Sequence, residues 1–381
     1  MKQGWEYKKL GEVCEVVSGS TPKTNVPEYW GEGHYWVTPA ELNDTIVYID
    51  KTERQITDEA LTKTKLRLLP VGTVLLSSRA PIGKVAITKT EMYCNQGFKN
   101  CICSDSIYNK YLFYFLRLKK EYLNSLGRGA TFKEISKSIV ESISIPLPPK
   151  STQLTIVSEL DKINELVRLK KEQLKDYDNL AQSIFYEMFG DPVENDKGWE
   201  VKKLGKVGQI VTGTTPSTNE ESNWNGNINW VTPAELGTQL YYGETIRRIS
   251  TNAAKKLTLM PVGTVLLSTR APIGKLAITK VPMCCNQGFK NIICCQDLNN
   301  IFLYFYLLLT MDKTKAMGRG ATFKEVSKQA ISHYLVPLPP LPLQHLFAKR
   351  IEQIEHQKSE VAKAITDLET LLASRMQYWF E

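Results

Sequence analysis

One long unit of sequence occurs twice in this chain, and that repeat constrains the fold more than any other feature. GWEYKKLGEVCEVVSGSTPKTN (residues 4–25) returns as GWEVKKLGKVGQIVTGTTPSTN (198–219), and SSRAPIGKVAI (77–87) returns as STRAPIGKLAI (268–278). The offset is 194 residues for the first pair and 191 for the second, so three residues are missing from the second copy. Solenoid repeats have periods of roughly 20–50 residues. The sequence therefore predicts a duplicated domain.

Each copy has three parts: about 150 residues of mixed character, a proline-rich break, and about 40 residues of helical pattern. The breaks are IPLPP (145–149) and VPLPP (336–340). We divide the chain into a first globular domain at 1–150, a first long helix at 151–190, a second globular domain at 191–340 and a second long helix at 341–381.

Strand and helix signals alternate within each globular copy. VGTVLLSS and KVAIT are β-rich runs around a RAPIG turn, and YCNQGFKNCIC has the form strand–turn–strand. Residues 109–126 have a helical pattern, and TFKE (131–134, again at 322–325) is a capping-box pattern that predicts the start of a short helix. Each copy is therefore predicted to be an α+β domain.

The segments after the proline-rich breaks have apolar residues at alternating spacings of four and three, which is typical of a coiled-coil seam. Lys170 and Lys358 each interrupt one stripe. At about 1.5 Å per residue, 40 residues span about 60 Å. An antiparallel pair of such helices would separate the two copies and relate them by an approximate two-fold axis. The alternative is an amphipathic helix that packs on a globular domain. The seam residues with which we expect partner subunits to dock are Ile156, Leu160, Ile163, Ile351, Ile354 and Ile365.

Composition narrows the class of protein. The net charge of +8 fits binding to nucleic acid or another acidic surface, although many unrelated proteins are equally basic. The longest apolar run (301–309) is far shorter than the ~20 residues of a membrane span, and residues 1–13 do not resemble a signal peptide, so we expect a cytoplasmic protein. The cysteines lack C-x2-C pairs with nearby histidines, which favours buried strand thiols over a metal site.

No catalytic motif is present in the sequence. There is no Walker spacing, no G-x-S-x-G, no H-E-x-x-H, and no Asn-Pro-Pro-Tyr run of the kind with which amino-methyltransferases hold a flipped base. The sequence therefore points to binding rather than catalysis.

Basic and amide side chains recur instead on matched turns. Arginine and lysine read guanine edges, asparagine and glutamine read adenine edges, and all four can bind phosphate. The alternative is that these are ordinary turn residues, identical in the two copies only because the duplication is recent. The predicted DNA-binding residues are Arg79, Lys84, Asn95, Gln96, Lys99 and Arg128 in the first copy, and Arg270, Lys275, Asn286, Gln287, Lys290 and Arg319 in the second.

The order and duplication of YWVTPAEL, PVGTVLLSSRAPIGKVAI, NQGF, GRGATFKEIS and IPLPPKSTQLTIVSELDKI resemble the specificity subunit of Type I restriction–modification systems over essentially the whole chain. The resemblance implies that each copy is a target recognition domain and that the long helices form the spacer and docking region. It also implies that double-stranded DNA, two modification subunits and restriction subunits are the partners. S-adenosylmethionine, ATP and Mg²⁺ would then be bound by those partners, and this chain would carry no cofactor and no catalytic residue.

The two copies differ from each other less than the family's domains usually do, which favours a split, near-palindromic target. The divergent stretches, where any asymmetry would arise, are 23–35 and 43–64. Two alternatives remain open from the sequence. A stand-alone two-headed DNA-binding regulator would bind DNA without modification subunits, and a protein-only adaptor would show little salt-dependent affinity for DNA.

Overall fold

Both long helices are shared between two units of the chain. The computed structural model describes residues 5–128, 133–270, 272–318 and 325–381. Unit 1 comprises Met1–Lys170 with Ala364–Glu381, and unit 2 comprises Lys171–Lys363. Each unit therefore contains one globular copy with the adjoining half of each long helix.

Unit 1 begins with a strand that pairs with the strand leading into its long helix. The strands are β1 (Glu6–Lys9), β2 (Cys14–Ser18), β3 (Trp30–Val37), β4 (Tyr48–Ile49), β5 (Gln55–Ile56), β6 (Val74–Leu76), β7 (Val85–Thr88), β8 (Tyr93–Cys94), β9 (Lys99–Cys103) and β10 (Ser144–Leu147). The helices are α1 (Leu10–Val13), α2 (Asp58–Lys63), α3 (Asn109–Leu118), α4 (Lys120–Leu126), α5 (Lys137–Ser142) and α6 (Lys150–Phe189), with short 3-10 helices at Pro27–Tyr29 and Pro39–Glu41. The antiparallel β1–β10 pair brings the start of the domain next to its exit into α6.

The larger sheet of unit 1 has a hydrophobic core on each face. Within the described residues its strand order is β2-β9-β6-β7-β4. Alternate residues of a strand point to opposite faces. Val85 and Ile87 of β7 accordingly join the core beneath α3, while Ala86 joins the core on the other face. This double burial explains why the strands read as continuous apolar runs.

The smaller sheet of unit 1 has the strand order β5-β3-β8, and the NQGF sequence directly follows its strand β8. β3 runs antiparallel to β5 and parallel to β8. Trp36, Ile56, Ala60 and Tyr93 form its own small core under α2.

Unit 2 repeats this plan strand for strand. Its strands are β11 (Glu200–Lys203), β12 (Gly208–Thr212), β13 (Trp224–Val231), β14 (Tyr241–Tyr242), β15 (Arg247–Ile249), β16 (Val265–Leu267), β17 (Leu276–Thr279), β18 (Met283–Cys285), β19 (Lys290–Cys294) and β20 (Leu335–Leu338). Its helices are α7 (Leu204–Val207), α8 (Thr251–Ala254), α9 (Asn300–Leu309), α10 (Met311–Ala316), α11 (Lys328–Ser332) and α12 (Leu341–Phe380), with 3-10 helices at Glu221–Asn223 and Pro233–Glu235. The sheet orders β12-β19-β16-β17-β14 and β15-β13-β18 match those of unit 1, which confirms the predicted duplication of an α+β domain.

The long helices α6 and α12 run antiparallel. In unit 1, Glu159 near the start of α6 accepts hydrogen bonds from Arg375 near the end of α12. In unit 2, Asp178 in the second half of α6 pairs with Lys358 in the first half of α12, at 2.8 Å. The predicted antiparallel coiled coil is thereby confirmed. Lys358, which interrupts the apolar stripe of α12, pairs with Asp178 and Glu355, and these two carboxylates compensate its charge.

One local prediction was wrong. The TFKE pattern does not open a helix at Glu134: α5 begins at Lys137 with Ser136 as its N-cap, and Thr131 lies outside the described residues. The predicted strand–turn–strand around NQGF is confirmed as β8, a turn and β9, but the two strands pair with different neighbours, β8 with β3 and β9 with β2 and β6. Tertiary contacts determine these partners, which the local pattern leaves open.

Candidate DNA interface

Three turns that lie far apart in the sequence meet at one place in each unit. In unit 1, the backbone N–H of Ser78 donates to the carbonyl of Gly97 at 2.7 Å, and the N–H of Ile135 donates to the carbonyl of Ser78 at 2.9 Å. The RAPIG turn (79–83), the NQGF turn (95–98) and the residues at Glu134 and Ile135 therefore lie side by side. They bring together Arg79, Gln96, Lys99 and Arg128.

Glu134 sits at the centre of this meeting point. Its carboxylate accepts a hydrogen bond from Nε of Arg79 at 2.9 Å and one from Nζ of Lys99 at 3.1 Å. In unit 2, Glu325 accepts from Arg270 at 2.9 Å and from Lys290 at 3.0 Å. We call each of these sets of three residues the arginine–glutamate cluster.

The electrostatics of the cluster favour the ionised carboxylate. Burial raises the pKa of Glu134, but the hydrogen bonds from Lys99 and Arg79 outweigh it, and the net pKa is lowered. The pKa of Glu325 is lowered by the same balance. Because each glutamate stays charged, the net charge of each cluster is +1.

Arg79 is held by its Nε–H while 46% of its side chain remains exposed, and the exposed fraction of Arg270 is 47%. A guanidinium has five N–H donors in a rigid fork, and guanine recognition needs two of them. The ion pair fixes the direction of the fork and leaves exposed donors for a ligand.

Lys99 and Lys290 are placed differently from what a surface turn suggests. Only 7% and 5% of these residues are exposed, and each Nζ lies against the cluster's glutamate. They therefore set the charge beneath the arginine rather than extending from the surface.

In the NQGF turn, the asparagine side chain bonds to the turn's own backbone and the glutamine side chain is exposed. Asn95 uses its Oδ1 to accept from the N–H of Gly97 at 2.8 Å, and Asn286 does the same for Gly288 at 3.0 Å, so these asparagines shape the turn. Gln96 is exposed and accepts a hydrogen bond from the hydroxyl of Thr21.

The matched Gln287 accepts from Thr215 at 2.7 Å. Both glutamines are exposed residues, and the NH₂ group of each is a donor that this contact does not use.

The remaining predicted DNA-binding residues contact neighbouring backbone atoms or lie exposed. Lys84 donates to the carbonyl of Pro39 at 2.9 Å, and Lys275 lies 3.4 Å from the carbonyl of Ala234. Arg128 is exposed, and its backbone pairs with that of Glu134. Arg319, the counterpart of Arg128, lies outside the described residues.

A second arginine site beside the turns was missed from the sequence. The Arg54 guanidinium lies 3.7 Å from the ring centroid of Trp30 and 5.5 Å from that of Trp36. Trp36 in turn donates from its indole N–H to the carbonyl of Ser20 at 3.1 Å, which anchors the loop that reaches Gln96.

Unit 2 contains the same arrangement, with Arg247 at 3.8 Å from Trp224 and 5.2 Å from Trp230. The signal that could have revealed it is the W-x5-W spacing, which occurs in both copies.

All six predicted docking residues of the long helices are buried within this chain. Ile156 and Leu160 belong to the core of unit 1, and Ile351 and Ile354 belong to the core of unit 2. Ile163 and Ile365 are 7% and 8% exposed. Apolar side chains that the helices leave exposed are Leu154, Leu166, Leu169, Leu180, Leu346 and Leu371.

The cysteines are mostly packed inside the sheets. Cys94 and Cys285 are buried, and burial raises the pKa of each thiol to about 12. Among the residues that the structure describes, no group of three histidine, cysteine or acidic side chains is arranged to hold a metal ion. No helix in the same described ranges is both long and apolar enough to cross a bilayer.

Comparison with known proteins identifies the class. The family model for the Type I restriction modification DNA specificity domain matches residues 2–176 and again 196–369. The MjaIX specificity subunit of Methanocaldococcus jannaschii is 30% identical over 92% of this chain and 86% of its own length. The EcoR124I/EcoR124II specificity subunit of Escherichia coli is 30% identical over 49% of this chain and 47% of its own length.

Solved structures show the same fold. A chain from a structure concerned with assembly and conformational transition of the Type I restriction–modification system has a TM-score of 0.67 at 22% identity, covering 99% of this chain and 97% of its own. The specificity subunit from M. genitalium has a TM-score of 0.56 at 15% identity, with 99% and 96% covered.

A duplicated α+β domain with paired basic turns and an antiparallel helix pair is thus the architecture of a DNA specificity protein. The chain belongs to the Type I restriction–modification DNA specificity family and is a specificity subunit of that type, with two recognition domains.

Proposed function

We propose that this chain selects the target of a Type I modification and restriction complex, with each unit reading one half of a split site in double-stranded DNA. The observation that carries the proposal is the arginine–glutamate cluster. It is built twice, with an exposed guanidinium whose direction is fixed by the same ion pair at 2.9 Å.

The chemistry is to be supplied by partner subunits. In this proposal two modification subunits dock on the long helices and bring S-adenosylmethionine for adenine methylation. Restriction subunits bring ATP and Mg²⁺, and the whole complex works in the cytoplasm. The predicted docking residues are buried, so they act by holding the helices together. The exposed leucines Leu154, Leu166 and Leu371 are the apolar surface that we assign to contact with a modification subunit.

Salt dependence of DNA binding tests the proposal. We expect the complex of this chain with its modification subunit to bind duplex DNA with a logarithmic affinity that falls steeply with the logarithm of salt concentration. Each phosphate that the protein neutralises releases about 0.9 counterion. The measurement is a titration of labelled duplex at several salt concentrations. A flat response, or binding of equal strength without the modification subunit, would contradict the proposal and favour an adaptor or a stand-alone regulator.

A further inference from the structure

Glu53 of unit 1 and Ile246 of unit 2 occupy the same place in the two copies. The backbone N–H of Glu53 donates to the carboxylate of Glu41 at 2.9 Å, and the backbone N–H of Ile246 donates to the carboxylate of Glu235, also at 2.9 Å. These two acceptors end the matched 3-10 helices at Pro39–Glu41 and Pro233–Glu235. The backbone is therefore held alike while the side chains differ completely.

The neighbouring residues confirm the match. The side-chain hydroxyls of Thr52 and Thr245 accept hydrogen bonds from the backbone N–H groups of Trp36 and Trp230, at 3.1 Å and 3.2 Å. On the other side, Glu53 and Ile246 directly precede the arginines that stack on tryptophan pairs. The position is rigid because it is fixed on both sides and through its own backbone.

Ile246 is the most exposed large hydrophobic side chain in the described part of the chain, at 85%. Burying an isoleucine side chain is favourable because its apolar surface leaves water. A surface that covers Ile246 gains part of that free energy, and the hydrogen-bonded backbone lowers the entropic cost of ordering the loop on contact.

Contacts connect this residue to the predicted DNA-binding turns. Gln287 is hydrogen-bonded to Thr215, and the preceding Thr214 carbonyl accepts from the indole N–H of Trp230 at 3.2 Å. Trp230 lies under Arg247, the residue after Ile246. Ile246 therefore lies on the same surface region as the NQGF turn of its unit.

Given the proposed function, on which this inference rests, we propose that positions 53 and 246 are specificity-determining residues that contact bases in the major groove. Isoleucine matches the methyl group of thymine, because that methyl is the apolar feature of the groove. A glutamate instead accepts a hydrogen bond from the N4 amino group of cytosine. The two half-sites then differ at this base pair, with thymine read by unit 2 and cytosine by unit 1.

Exchanging the two side chains tests the inference. The variants are Ile246→Glu and Glu53→Ile, each in the full complex with its modification subunit. The measurement is the methylated motif, read by single-molecule sequencing of genomic DNA from cells that express each complex. We expect one base pair of one half-site to change in each variant, with a shift in preference of roughly 5- to 150-fold, the cost of one mismatched base pair. A motif identical to the parent's in both variants would overturn the inference.

Controls separate the possible failures. Val262→Glu adds the same charge at another exposed apolar residue of unit 2 (59% exposed), in a turn beside α9, and is expected to keep the parent motif. Ile246→Val keeps an apolar contact and is also expected to keep it. If a variant methylates poorly, selection from a randomised duplex library gives its preference directly, and an unchanged preference there also overturns the inference. A parent complex without any motif would instead refute the proposed function itself.

Discussion

Arg79 and Arg270 are held at the surface by a carboxylate that uses one N–H of each guanidinium. A guanidinium that is fixed before binding loses less side-chain entropy on contact than a free one. The cluster is therefore suited to precise contact with a base edge or a phosphate.

We expect Arg79→Ala and Arg270→Ala each to weaken DNA binding by about 1–3 kcal/mol if the contact is to a guanine edge. Titration of duplex DNA with the assembled complex measures this loss. The matched control is Arg67→Ala, which removes another exposed arginine that is paired with a glutamate, Glu15, and is expected to have little effect. Parent-like binding by both folded variants would mean that these arginines are only solvated.

The sequence indicated Arg79 but not its partner. Glu134 is 55 residues away and fits a capping box, so local reasoning assigned it to a helix that begins three residues later. The burial of Lys99 could not be predicted from the sequence for a similar reason. A lysine beside a turn reads as exposed unless the carboxylate that compensates its charge is known.

At the scale of elements, Glu159 of α6 holds the end of α12 in place through hydrogen bonds. Arg375 donates to this carboxylate, and Trp379 donates its indole N–H at 2.9 Å while its ring stacks on Trp5 at 6.2 Å. The hydrogen bond from Arg375 lowers the pKa of Glu159, with burial opposing and Trp379 assisting. Because the folded pKa lies below the unfolded value, the carboxylate stabilises the fold above about pH 4.3 and loses that effect as the pH falls through the folded pKa.

We therefore expect Glu159→Gln to lower the free energy of unfolding by about 1 kcal/mol at pH 7, a modest value because the pair is partly exposed. The difference from the parent should vanish in acid, below the folded pKa. Thermal melts at pH 7 and in a series of more acidic buffers measure both effects. Glu165→Gln, on the same helix and paired with Arg168, serves as the control. A difference that stays constant with pH would show that the hydrogen-bond geometry matters and the charge does not.

The long helices were predictable to within one residue at each end, since 151–190 and 341–381 become Lys150–Phe189 and Leu341–Phe380. Their apolar spacing continues without interruption by proline or glycine after the first turn. The strand pairings were not predictable in the same way. The parallel contact of β3 with β8 joins Trp36 to Tyr93, and nothing local in either strand specifies that partner.

At the scale of the whole molecule, two units with the same strand order and the same cluster are expected to read similar half-sites. We predict a split, near-palindromic target with an unread spacer of several base pairs and one methylated adenine in each half. Sequencing of methylated DNA from the source measures the motif directly. Two unrelated half-sites would mean that the divergent loops, and not the shared turns, carry the base contacts.

The core of unit 1 contains Met376 and Phe380, which pack with residues of the first globular copy such as Tyr111. Unit 2, by contrast, is one continuous stretch of 193 residues. The first copy therefore leaves the ribosome early. The ribosome must then translate all of Lys171–Lys363 before it makes Met376 and Phe380, which complete the core of unit 1. At about 5–20 residues per second, that wait lasts roughly 10–40 s. During biosynthesis the domain that emerges first is the one finished last, and its incomplete apolar surface is what a chaperone would meet.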